Sequence, residues 1–140
     1  MELFQQYPWQ WFFSGSTEGT RELTHAQIED LFSKWRSIAC RVTGLQIGSV
    51  GCSVRHNGRH CHALLVGANR KGKTLRDIDT GTIKTLERLW FALAQSTARI
   101  DVCRDTNASG YVVFKNLVGN DAEVMVPQGK QCLKKYNLTT

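Results

Sequence analysis

The sequence predicts an α+β domain built around a central antiparallel sheet, and three observations carry that expectation. Asn57-Gly58 stands between two β-prone runs, "LQIGSVGCSVR" and "HCHALLVG", and Asn-Gly is the strongest short-range hairpin signal. Thr24-x-x-Gln27 makes a capping box ahead of a segment whose apolar residues recur every three or four positions. Strand-like and helix-like stretches then follow one another in the order β-α-β-β-α-β. At 140 residues the chain is long enough to bury a core of its own, and residues 1–140 read as a single domain.

Each element has a local reason. Residues 9–16, "WQWFFSGS", partly alternate aromatic with other residues (Trp9, Trp11, Phe13) and are expected to form the first strand. Beyond Thr24, one helix face carries Ile28, Leu31, Phe32, Trp35, Ile38, Ala39 and Val42, with Trp35 expected in the core. Residues 45–55 and 60–67 should pair antiparallel, and 69–76 reads as a loop. A second helix is expected over about 82–95, with Ile83, Leu86, Leu89, Trp90 and Leu93 inward, and a strand over 98–103. Residues 107–118 suggest a short helix, and "AEVMV" (122–126) a last strand before a basic C-terminal tail at 127–140. The order is that of a split βαβ sheet, ferredoxin-like or RRM-like, with flanking helices.

Charge narrows the partners. The formal net charge is +6 and the pI about 9.3, which favours a polyanion. The distribution is sharper than the total: Arg55, Arg59, Arg70, Lys71, Lys73 and Arg76 fall in one stretch without an Asp or Glu. These six are the candidate nucleic-acid contacts, and Lys130, Lys134 and Lys135 form a second cluster. The 5 cysteines are odd in number and none pair as C-x-x-C, which argues against a cysteine-rich zinc module and for reduced thiols. The start, "MELFQQYPWQWFF", lacks the basic n-region of a signal peptide, and no stretch approaches 18 apolar residues; the expected location is cytoplasmic.

Two motifs overlap in "RHCHALLVGANRKGKT". Gly67–Thr74 fits G-x-x-x-x-G-K-[ST], the loop that cradles nucleotide phosphates where a buried parallel strand runs directly into a helix. Here the preceding strand is entered through a hairpin, and "LRDIDTGT" follows, so a nucleotide binder is the lesser alternative. His60 and His62 alternate with Cys61, so on a strand the two imidazoles project together while the thiol points to the other layer. Two such rings can converge on one cation. Downstream, Tyr111 and Lys115 are one turn apart if 107–118 is helical. A phenol becomes a competent nucleophile beside a metal that polarises a phosphodiester.

Three segments in this order resemble the HUH endonucleases, the rolling-circle replication initiators of plasmids and single-strand phages. "WQWFFSGST" is similar to their first-strand motif, "RHCHALLVG" to the His-hydrophobic-His strand, and "ARIDVCRDTNASGYVVFKNL" to the segment carrying the catalytic tyrosine. The resemblance implies nicking and rejoining of single-stranded DNA, at an origin or hairpin, through a 5′-phosphotyrosine link. It implies Mg²⁺ or Mn²⁺ on His60 and His62, Tyr111 as nucleophile, Lys115 beside it, and a host helicase and polymerase as partners. The family's acidic third ligand falls on Cys52, a soft donor ill matched to Mg²⁺, with Gln46 and His56 as other sources. The family's lysine position and second tyrosine are Phe114 and Lys115, so this is a one-tyrosine version with its lysine displaced by one. The alternative from another class is a non-catalytic single-stranded nucleic-acid-binding module on the same sheet.

Overall fold

The structure, a computed structural model, describes residues 9–17, 23–54, 60–103 and 122–135. Within them the order is β1 (Trp11–Ser16), α1 (His25–Thr43), β2 (Gln46–Val54), β3 (His60–Ala68), α2 (Thr80–Ala94), β4 (Ala98–Val102), β5 (Ala122–Val124) and α3 (Lys130–Lys135). The strands form one five-stranded antiparallel sheet in the order β4-β1-β3-β2-β5. This α+β architecture, with three helices among the described residues, is compatible with the ferredoxin-like class without being specific to it. No helix among the described residues is long and apolar enough to cross a membrane.

Local chemistry accounts for the boundaries. Thr24 Oγ1 accepts from the Gln27 amide and Gln27 Oε1 from the Thr24 amide, so the expected capping box opens α1. Gly44, at φ 75°, closes it in the left-handed conformation that glycine adopts without steric cost. Asp79 caps α2 through the Thr82 amide at 2.7 Å. Between β2 and β3 the pairing runs without a slip from Gln46↔Ala68 to Val54↔His60. A Cβ on Gly67 would lie 1.8 Å from the Gln46 carbonyl oxygen, so only glycine permits that closeness of the two strands.

The sheet buries both faces. Trp11 and Phe13 of β1 and Cys61, Ala63 and Leu65 of β3 meet Ile28, Phe32, Trp35 and Ala39 of α1 and Leu86 and Trp90 of α2. Phe13 lies 4.5 Å from Trp35 and 5.2 Å from Trp90 between ring centroids. The indole of Trp35 donates to the Leu86 carbonyl at 2.9 Å and that of Trp90 to the Ser16 carbonyl at 3.0 Å, so both large rings are buried with their polar atom satisfied. On the opposite face Val50, Cys52, Val54, Leu64 and Val66 pack with Trp9, Cys103 and Leu133 of α3.

Three expectations need correction. Trp9 does not continue the alternation of Trp11 and Phe13: it precedes β1 and joins the opposite cluster. Val42 is 56% exposed, because α1 runs past the end of the core it covers. Part of the segment expected as a basic tail is helix α3, pinned by buried Leu133 over Gly48. The short helix expected over 107–118 lies outside the described residues.

Candidate functional site

Strand alternation builds the site as expected from the His-x-His spacing. Cys61 is fully buried on the helix face, whereas His60 and His62 are half-buried on the other, with ring centroids 6.4 Å apart. They border an open cleft of about 530 Å³ whose other walls come from Ser14 to Ser16 of β1 and Thr97 to Arg99 around the start of β4.

The register explains why these side chains meet. Arg99 pairs with Ser14, Ser14 with His62, His62 with Cys52 and Cys52 with Val124, so all five strands contribute to one rung, the first four of these residues with polar or thiol side chains. Ser14 Oγ is 3.0 Å from His62 Nδ1. The Phe12 ring stacks on the same imidazole, with centroids 5.6 Å apart and planes 15° from parallel. On the next rung Ser16 pairs with His60, and the Ser16 hydroxyl hydrogen-bonds that of Ser96 and donates to the Thr97 carbonyl at 3.1 Å.

Burial lowers the His62 pKa to about 4, with the neighbouring His60 adding to the effect. At neutral pH the ring therefore carries no charge and keeps a lone pair for an electrophile. If Nδ1–H donates to Ser14, that lone pair is on Nε2. Cys52, opposite His62, is pushed up to about 11 by burial, only partly offset by a hydrogen bond from the His62 backbone. Its thiol is protonated near neutral pH and makes a poor ligand for a hard cation. Gln46 cannot serve as the third ligand, since it stands six residues from Cys52 along β2, roughly 20 Å away. Among the described residues no three His, Cys, Asp or Glu side chains are grouped to hold a metal.

The other expected residues separate. Tyr111, Lys115, Arg55, Arg59 and His56 lie outside the described residues. Arg70, Lys71 and Lys73 are exposed on a turn closed by Asn69, whose side-chain oxygen accepts from the amides of Lys71 and Lys73 at 3.0 and 2.9 Å. That turn follows the far end of β3, about 20 Å or more from His62, so it does not adjoin the histidine cleft. Arg76 is committed to the fold: half-buried, it donates through Nη2 to the Trp9 carbonyl at 3.0 Å. The phosphate-loop geometry is also missing. Gly67 lies within antiparallel β3, Asn69 occupies the loop amides, and α2 begins only at Thr80, after a short 3₁₀ turn at Leu75–Asp77.

Arg99 is the cleft residue that sequence reasoning missed. It is 78% exposed and its Nε donates to Asp101 at 3.0 Å, leaving the terminal amino groups beside the cleft uncommitted to that carboxylate. Alternation along "ARIDV" put Arg99 and Asp101 on one face. That β4 lies beside β1 was not readable there. Comparison with known proteins finds no matching family, no matching curated protein and no matching solved structure.

Proposed function

We propose that this chain is a metal-dependent nickase and strand transferase for single-stranded DNA, of the HUH type and on a ferredoxin-like sheet. The observation that carries the reading is the pair His60 and His62, side by side on an open sheet face, with His62 held neutral and bonded to Ser14. Support for the finer fold is the order β4-β1-β3-β2 with α1 and α2 on one face, the arrangement a split βαβ unit takes.

The two imidazoles fit a transition metal. Mg²⁺ prefers near-ideal octahedral oxygen coordination, and the described residues group no carboxylate with the histidines, so Mn²⁺ is the better match of the two ions implied. Bound there, the ion supplies Lewis acidity at a non-bridging phosphate oxygen. By accepting from His62 Nδ1–H, Ser14 would leave the Nε2 lone pair for the ion, a role that partners of metal-binding histidines commonly play. Phe12 and His62 offer a stacked surface to a base, and Arg99 a cation to the strand. Tyr111 attacks phosphorus as its phenol gives up a proton. The P–O3′ bond breaks, the departing 3′-oxygen takes up a proton, and a 5′-phosphotyrosine forms; the reverse attack rejoins the strand. Lys115 steadies the phenolate. At an origin this initiates rolling-circle replication, with a host helicase and polymerase as partners.

A non-catalytic single-strand binder is the second reading, favoured by the lack of a third ligand near the histidines among the described residues. The deciding experiment mixes the protein with a random-sequence single-stranded DNA pool and Mn²⁺. The mixture is then denatured and run on a gel. A DNA-linked band that disappears with EDTA and in Tyr111→Phe is the expected result. Metal-indifferent binding without a band would replace the nickase with the binder.

A further inference from the structure

The end of the sheet remote from the histidines carries a second surface that the cleft chemistry does not use. It is built from the end of α1, the start of β2, the turn after β3, and α3. Two clefts meet there. One of about 480 Å³ lies between Gly44 and Arg70, and one of about 310 Å³ between Arg36 and Lys130. Both are bordered by Cys40, Leu45 and Gln46, so they form one continuous depression over the exposed start of β2. Arg36 is locked in place, donating to the Ile47 carbonyl at 2.9 Å and to Gln128 Oε1 at 3.0 Å. Arg70 and Lys130 line the two clefts, and the exposed cations Arg41, Lys71, Lys73 and Lys134 lie on the same elements, the end of α1, the turn after β3 and α3.

What distinguishes the two clefts is that neither lining includes an Asp or Glu, although Glu29 and Asp30 border the adjoining cleft with Arg36 and Lys130, and Asp79 lies close enough to Lys73 for the two to interact. The sequence has no Asp or Glu between Asp30 and Asp77, and none after Glu123, and these two acid-free segments supply both clefts. The excess of cations over acids around these clefts raises a positive potential that a polyanion would relieve.

We infer that this basic end is a docking surface for the phosphate backbone of double-stranded nucleic acid, holding a duplex segment while the histidine cleft about 20 Å away engages a single strand. Among the described residues no aromatic side chain borders either basic cleft, and stacking on aromatics is how single strands are held, so backbone contact to a duplex is the better fit. An anionic membrane fits less well, because among the described residues the large exposed apolar side chains are Val42, Phe91 and the pair Val124 and Val126, and none of them lines either cleft. The inference rests on the nickase reading for taking the nucleic acid to be DNA and for the single strand in the histidine cleft.

The test measures binding of a short random-sequence DNA duplex by fluorescence anisotropy at several salt concentrations. The proteins compared are the wild-type chain and R70Q/K71Q/K73Q, with K130Q/K134Q as a second variant on a separate element. Each phosphate contact contributes about 0.9 to the slope of log K against log salt, so the triple variant should lower the slope by about 2 to 3 and the double by about 2. Circular dichroism confirms that each variant is folded. Adduct formation on a short single strand should survive in both, and H60A/H62A should lose the adduct while keeping duplex binding; these arms separate failure of this surface from failure of the nickase reading. Unchanged slopes and affinities in both variants would overturn the inference. So would an absence of duplex binding accompanied by binding to phosphatidylserine vesicles.

Discussion

The two ends of the same sheet solve opposite problems. At the histidine end, Ser14 and His62 meet half-buried on one rung and are bonded to each other, between exposed Arg99 and buried Cys52, and burial keeps His62 uncharged. At the basic end the side chains are exposed and mutually repelling, and the backbone turn beneath them is closed by Asn69. One arrangement orients a lone pair through desolvation and a second-sphere hydroxyl. The other collects charge where water still solvates it. Orientation needs burial and cross-strand register, whereas electrostatic holding needs only an excess of cations over acids.

The largest expected effect would break this comparison if both ends responded. Tyr111→Phe should abolish the covalent adduct, since no other phenol is proposed as nucleophile, while duplex affinity stays at the wild-type value. Loss of both, measured by gel and anisotropy on the same preparation, would mean that the two ends are not separable.

Next comes the shared core beneath them. Trp90, fully buried against Phe13 and bonded to the Ser16 carbonyl beside the cleft, should cost about 3–5 kcal/mol of stability on substitution by alanine. Urea denaturation reads that loss, and both binding activities should fall together as the population unfolds. A smaller cost would mean that the packing around β1 is looser than the contacts imply.

A third effect sharpens the histidine end. The folded pKa of His62 is lowered to about 4 from 6.5, so between these values the unfolded chain binds more protons than the folded one. Its contribution is therefore present above pH 6.5 and lost as pH falls toward 4, on the order of 2 kcal/mol once partial exposure of the ring is allowed for. Denaturation in His62→Gln should show a flatter pH dependence across that window. An unaltered slope would assign the acid sensitivity elsewhere.

The smallest effect tests orientation alone. Ser14→Ala should weaken Mn²⁺ binding about tenfold while leaving the fold within about 1 kcal/mol, because only the hydrogen bond to His62 Nδ1 is removed. Calorimetric titration with the metal reads it. Equal affinity in the two proteins would show that the hydroxyl does not set the tautomer.

Much of this molecule was legible in short stretches. The Thr24 capping box, the antiparallel hairpin and the projection of His60 and His62 away from Cys61 all depend on neighbours a few residues apart, and each is present. The charge of Arg76 is visible in the sequence, whereas its bond to the Trp9 carbonyl and its half-buried position are not. Gln46 was a reasonable ligand by composition and lies at the wrong end of its strand. The 127–140 segment read as polar because Leu133 is its one strongly apolar anchor ahead of residue 136, too little for a pattern, yet that side chain is fully buried.

Periodicity, capping and turn chemistry are written within a span of about one turn or one hairpin, since they act through backbone dihedrals and nearest neighbours. These local terms were enough to predict strands, helices and the paired imidazoles. The rung Arg99–Ser14–His62–Cys52 is different, because its members come from four strands. Their meeting depends on sheet order and register, which the collective packing of Trp11, Phe13, Trp35 and Trp90 selects, and a slip of one residue would turn each strand's side chains to the opposite face. The same packing sets the distance between the histidines and the basic turn, so it was tertiary structure that divided one basic, histidine-bearing segment into two separate surfaces.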